Sequence, residues 1–237
     1  VGVASYPYLA RLAQEKAFDR LNQVLNTTLK YILLVIPVSV LFTVLSHEIV
    51  RILFQRGDFT AQATHVTAGI LPFFMIGAVA VTAQTLVSRG YYAMQDTLFP
   101  AIVTTLCVTA GLPVIYLLMN LLGAKGVALG LSITLIVQCI VLFECWNKKS
   151  RNTEKSDVYR FFIKLIPLSL LLWLALKGFR TWLITVIDPA GFLGSLFVAA
   201  LISILCCAFM WGYARLFNIP EIDTLTDRLL RLARLRR

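Results

Sequence analysis

Charge is what this sequence has least of. Only 14% of its 237 residues are Asp, Glu, Lys or Arg, where a soluble domain of this length carries roughly 25%. That shortage excludes an ordinary solvated surface. Acids are scarcer still, 12 against 22 Lys and Arg. Few of them fall inside apolar runs, so no carboxylate pair is placed for hydrolysis at membrane depth. Histidine occurs twice, at His47 and His65. No Ser/His/Asp or Cys/His arrangement has a workable spacing, which removes nucleophilic catalysis. There is no phosphate-cradling glycine loop and no dinucleotide fingerprint. The five cysteines, Cys107, Cys139, Cys145, Cys206 and Cys207, lie in or beside apolar runs. Their spacing suits neither zinc nor a disulfide framework, so they read as small packing residues. The chain is expected not to be an enzyme, and to use neither a metal nor a cofactor. Any transport would be driven by an ion gradient or the membrane potential, since nothing here could hydrolyse ATP. An initiating Met and a signal-peptide pattern are also missing. Val1 to Leu12 reads as the end of a helix, so an N-terminal part is expected to be absent.

What is present is apolar sequence. The chain is 59% hydrophobic, with a mean hydropathy of +0.80. Several uncharged runs approach the roughly 20 residues that cross a hydrocarbon core. Lipid offers backbone groups no partners and no long alternating pattern appears, so the runs are expected to be helices. The fold class is therefore an all-α polytopic membrane protein.

Six full spans are expected, after a surface connector at 14–30. Tyr31–Phe54 is the first, with His47, Glu48 and Arg51 near its far end. These three either mark the interface, with Glu48 and Arg51 as an i,i+3 pair, or face a water-filled cavity. A polar knuckle, Leu53-Phe54-Gln55-Arg56-Gly57-Asp58-Phe59-Thr60, turns the chain into Thr64–Ser88. A second turn runs from Arg89 to Thr97, with Tyr91 and Tyr92 as an aromatic interface pair, and Pro100 opens the third span, Pro100–Leu122. Gly111 and Pro113 break that span, as a hinge or as a kink tolerated by packing. In the fourth span, Val127–Trp146, Gly126, Gly130 and Ser132 offer a small face for close helix contact.

The basic stretch 147–160 reads as a loop. The fifth span, Phe161–Trp182, carries Lys164, Lys177 and Arg180 at its ends, where they can snorkel to headgroups. The sixth is Gly191–Tyr213. From residue 217 a basic amphipathic tail is expected to lie on an anionic leaflet; nucleic acid is not an expected partner. Alternating the sides puts seventeen of the 22 Lys and Arg on one side and five on the other. By the positive-inside rule the 147–160 loop and the C-terminus are cytoplasmic, and the Arg56 knuckle faces outward.

Four stretches go further. Tyr6-Pro7-Tyr8-Leu9-Ala10-Arg11-Leu12, the Phe54–Thr60 knuckle, Arg89–Thr97 with Pro100, and Gly126-Val127-Ala128-Leu129-Gly130-Leu131-Ser132 together resemble the C-terminal half of the MurJ (MviN) family. Its members are lipid II flippases of the multidrug/oligosaccharidyl-lipid/polysaccharide (MOP) exporter superfamily. The resemblance implies half of a MOP-type fourteen-helix transporter, the end of helix 8 plus helices 9–14. Residues 1–146 would be lobe helices, 147–160 the cytoplasmic loop, 161–216 two extra helices forming a lipid-tail groove, and 217–237 the tail. It implies a multi-pass protein of the bacterial inner membrane that moves lipid II, a polyprenyl-linked cell-wall precursor, by alternating access. Cell-wall synthesis proteins would be partners. Arg56, Gly57, Arg89, Tyr92, Asp96 and Pro100 would shape loops or gates. Some members bind sodium through an Asn and an Asp one turn apart on helix 11, together with helix 12. Counted from Pro100, those positions are Gly111 and Ile115, which supply no side-chain oxygen, and Ser132 is left as a lone candidate ligand. Two rivals stand beside this reading: an exporter of polysaccharide units or drugs from the same superfamily, and a non-transporting scaffold for cell-wall enzymes.

Overall fold

The computed structural model describes residues 6–187 and 191–217. Among them the regular structure is helical: α1 (Tyr6–Gln14), α2 (Phe18–Leu33), α3 (Val35–Val44), α4 (Ser46–Phe54), α5 (Ala61–Ala93), α6 (Leu98–Leu122), α7 (Ala124–Lys149), α8 (Lys155–Val186) and α9 (Phe192–Phe217). Six stretches are long and apolar enough to cross a membrane: Phe18–Val44, Ala61–Ala93, Leu98–Leu122, Ala124–Lys149, Lys155–Val186 and Phe192–Gly212. The chain is a multi-pass membrane protein. The tail expected from residue 217 lies, beyond its first residue, outside the described residues.

The connector expected at 14–30 is instead mostly helix α2, packed into the body. Leu21, Leu25 and Leu29 are buried, with Asn22 and Asn26 buried beside them; four-residue spacing puts them along one side of the helix. The expected span Tyr31–Phe54 is correspondingly longer and segmented. Pro37 has no N–H for the carbonyl of Leu33. The backbone tightens there, with Leu34 N–H donating to the Tyr31 carbonyl at 3.3 Å, and α3 starts afresh. A further break at Leu45 starts α4.

α5 is longer than the expected Thr64–Ser88, and Arg89 to Ala93 belong to its last turns rather than to a loop. Gly90 marks the reason. A Cβ there would stand 3.0 Å from both Leu25 and Trp146, so the glycine serves close packing inside a helix. The ends of α1, α5 and α7 share one device. Lys16 (φ 54°), Gln95 (φ 59°) and Arg151 (φ 51°) take the left-handed conformation. Beyond each, a backbone N–H returns to the helix: Ala17 to Leu12, Asp96 to Tyr91 and Asn152 to Asn147, each at 3.0 Å. These are Schellman-type ends built without glycine. The basic stretch 147–160 is mostly helix for the same reason; α7 and α8 take both its flanks and leave only residues 150–154 between them.

α5, α6 and α7 pack through small residues, as membrane helices do where burial from water gives no drive. A Cβ on Gly126 would stand 1.8 Å from the Leu118 carbonyl oxygen, and one on Gly130 2.9 Å from the Ile115 Cα. A Cβ on Gly77 of α5 would stand 2.7 Å from Ser132 Oγ. The small face expected on this helix is thus two faces, glycines toward α6 and Ser132 toward α5.

Two apolar cores result. The larger joins α1, α2, α5 and α7 to the first half of α8 through residues such as Leu9, Leu25, Val87, Leu142 and Leu165. The second joins Val44 and Leu45 to Leu172, Leu176 and Leu183 of α8 and to Val198, Ile202 and Cys206 of α9. The second half of α8 and the start of α9 are therefore held by α3 and α4, while the first half of α8 stays in the larger core. All five cysteines are free thiols, with Cys206 buried in the second core.

Candidate functional site

Chain direction puts the α4–α5, α6–α7 and α8–α9 connections at one end of the described bundle, and the α5–α6 and α7–α8 connections at the other. The residues singled out in the sequence separate between these two ends and the seam that joins them.

At the first end the knuckle is a tight turn. Arg56 N–H donates to the Phe54 carbonyl at 2.7 Å, and Phe59 N–H to the Arg56 carbonyl at 3.1 Å. Gly57 has φ +55°, with no heavy atom within 4 Å of a Cβ position, so backbone conformation alone calls for glycine there. Arg56 Nη2 donates to the Ile52 carbonyl at 3.5 Å. Its guanidinium stands 5.9 Å from the centre of the Phe192 ring at the start of α9. Thr60 caps α5, accepting from Ala63 N–H at 3.3 Å. Glu48, expected as an i,i+3 partner of Arg51, makes its ion pair across to Arg180 of α8, at 2.7 Å. Arg180 is thus engaged with the protein rather than with headgroups.

At the second end Asp96 fixes the start of α6. One carboxylate oxygen accepts from Phe99 N–H at 3.1 Å, and the other pairs with Lys149 of α7. The Lys149 ammonium, then the Phe99 amide, hold the Asp96 carboxyl below its usual range. Pro100 follows in the first turn, where its missing N–H costs nothing. Arg89 lies on α5 before this turn. Tyr91 and Tyr92 are not an interface pair. Tyr91 is fully buried and donates its hydroxyl to the Leu142 carbonyl at 3.2 Å, between the rings of Phe99 and Trp146. Tyr92 is exposed.

Beside it lies a buried polar network absent from the sequence reading. Trp146 Nε1 donates to Asn22 Oδ1 at 3.0 Å, and Asn22 Nδ2 to the Ser150 carbonyl at 3.1 Å. Asn26 and Asn152 donate to one another at 3.1 and 3.0 Å. This clamp ties α2 to the α7–α8 turn. The signal that could have found it was Asn22 and Asn26 at the same four-residue spacing as Leu21 and Leu25.

The seam between the ends holds the rest. α6 runs unbroken through Gly111 and Pro113. A Cβ on Gly111 would stand 2.4 Å from Thr134 Oγ1, which gives this glycine a packing role. Pro113 is exposed. Ser132 is buried and donates to the Phe73 carbonyl at 2.7 Å. Gln138 Nε2 donates to Thr104 Oγ1 at 2.7 Å. Gly111 and Ile115 thus pack against Thr134 and Gly130. With no side-chain oxygen at either position, Ser132 offers a single hydroxyl, too few ligands for these residues to fit a sodium site on this seam.

A family model described as lipid II flippase MurJ matches residues 1–202. The chain belongs to the MurJ family. A Rhizobium tropici protein named "Probable lipid II flippase MurJ" is 26% identical over 223 residues, which is 90% of this chain and 41% of that protein. Thermosipho africanus "Lipid II flippase MurJ" is 31% identical over 122 residues, 52% of this chain and 25% of that one. A solved structure of lipid II flippase MurJ in an inward closed conformation superposes with a TM-score of 0.60 at 23% identity. It covers 87% of this chain and 41% of the solved one. This MurJ-family chain shares the fold of that solved structure and spans less than half of its length.

Proposed function

We propose that the chain is the C-terminal part of a lipid II flippase of the bacterial inner membrane. The observation that carries this is the family match over residues 1–202, joined to a bundle in which the second half of α8 and α9 share a core of their own with α3 and α4. In the whole protein this lobe would rock against its counterpart, opening a central cavity to each side in turn. The headgroup would cross through that cavity while the polyprenyl tail stays in lipid along α8 and α9. Arg56 with Gly57 and Arg89 with Asp96 shape the connections at the two ends, where such a lobe opens and closes; Tyr92 and Pro100 flank the second. These are loop-shaping and gating roles, not substrate contacts. Pro113, which denies the Thr109 carbonyl its helical donor, is where α6 would bend.

The protein is a transporter and not an enzyme. Its drive is an ion gradient or the membrane potential, applied outside the α6–α7 seam. The seventeen-to-five distribution of Lys and Arg supports a cytoplasmic C-terminus. Cell-wall synthesis proteins are the partners this activity calls for. The test is growth rescue: the full-length parent protein, expressed in cells depleted of their own flippase, restores growth and cell shape. Abundant, membrane-inserted parent without rescue would overturn the proposal.

A further inference from the structure

Charge fastens α8 at two places: Lys155 at its start pairs with Glu144 of α7 at 3.2 Å, and its second half, with α9, is held to α4. Glu48 of α4 is 1% exposed. Its Oε1 accepts two bonds from Arg180 of α8, from Nε at 3.0 Å and from Nη2 at 2.7 Å. Its Oε2 is buried with no hydrogen-bond partner. One turn further along α4, Arg51 Nη1 donates to Ser195 Oγ of α9 at 3.3 Å, and Ser195 is fully buried. The same turns of α4 therefore reach both helices of the pair, beside the second apolar core. Next to Glu48 on α4, His47 faces His65 of α5, ring centres 5.3 Å apart.

A buried ion pair is a poor device for stability, because desolvation offsets most of the attraction. An apolar pair would pack here at least as well. What two bonds from one guanidinium to one oxygen provide is a fixed geometry. If α8 slid or turned against α4, a carboxylate already lacking a donor on Oε2 would lose its counter-charge while still buried. One register is therefore favoured over its neighbours. We infer that Glu48 and Arg180 are positioning residues that lock the α8–α9 pair to α4, so that the pair follows this lobe as one body. Its consequence for transport rests on the flippase reading; the joint itself does not.

The test uses the full-length parent protein with genetically encoded spin labels in place of Val66 on α5 and Val186 on α8, both exposed. The unsubstituted joint gives one narrow distance distribution. Glu48→Gln, which keeps the side-chain volume, is expected to broaden it. It should also lower exposure of lipid II on the outer face about tenfold, within the ordinary range of coupling between two moving parts. Replacing both residues by Leu restores thermal stability to the parent's level but leaves the distribution broad. A narrow, unchanged distribution in Glu48→Gln would overturn the inference. So would a double Leu variant with both the narrow distribution and full transport. If the parent itself exposes no lipid II, the flippase reading fails, and the distance measurement still decides the joint.

Discussion

At Gly57 the backbone takes φ +55° in open space, so a side chain there meets only its own backbone. Gly57→Ala is expected to cost about 1–2 kcal/mol, the usual price of a left-handed L-residue. Gly57→Asn should cost less, because Asn enters this region more readily. Thermal melting of the detergent-purified parent protein orders the three as Gly, Asn, Ala. Asp96 is the second residue whose role is chemical. Its carboxyl is held below the ordinary 3.8 by Lys149 and the Phe99 amide. A depressed folded value means stability that is present above the unfolded value and lost as pH falls through the folded one. Asp96→Asn should therefore melt lower than the parent at neutral pH, and the gap should close on acidification below pH 3.8. A gap that persists at acid pH would assign the difference to something other than charge. Both residues stood out in the sequence, being a glycine and an acid in short polar breaks. Tyr91, Asn22 and Asn26 did not: nothing local tells a buried Tyr from its exposed neighbour Tyr92, and the two Asn show only in their four-residue spacing beside Leu21 and Leu25.

Element by element, the existence of the spans was legible and their ends were not. Long uncharged runs can only be helices in lipid, and six were expected and six are found among the described residues. The ends moved where helices close on Lys16, Gln95 and Arg151 instead of glycine, since a glycine at that place is the usual stop signal. Segment 18–54 was misdivided because α2 carries polar residues on its outer side and looked like a connector. The glycines within helices carry a prediction of opposite signs. Gly126→Ala would place a Cβ 1.8 Å from the Leu118 carbonyl oxygen. A backbone atom cannot swing aside, so α6 and α7 must part, at about 1–3 kcal/mol for such overpacking. Gly178 of α8 has nothing within 4 Å, so Gly178→Ala should be neutral or gain up to about 1 kcal/mol of helix propensity. Melting temperatures that fall for the first and hold or rise for the second would support the α6–α7 seam. Equal shifts would contradict it.

For the molecule as a whole, the family was legible from four short stretches because turns and close contacts restrict residue choice more than lipid-facing surface does. The arrangement of α8 and α9 was not legible, since Glu48 and Arg180 are 132 residues apart and each looked like an interface charge. Because the chain spans 41% of the matched MurJ structure, residues 1–237 expressed alone are expected to insert into membranes and move no lipid II. Half of a rocking pair has no alternating access. The full-length parent carries the central claim, and the direct measurement is made in cells depleted of their own flippase. A toxin that cleaves lipid II is added from outside, and the cleaved product is measured with and without the parent protein. Restored cleavage is the predicted result. A parent protein that is abundant and correctly inserted, yet leaves lipid II uncleaved, would contradict the flippase function proposed here.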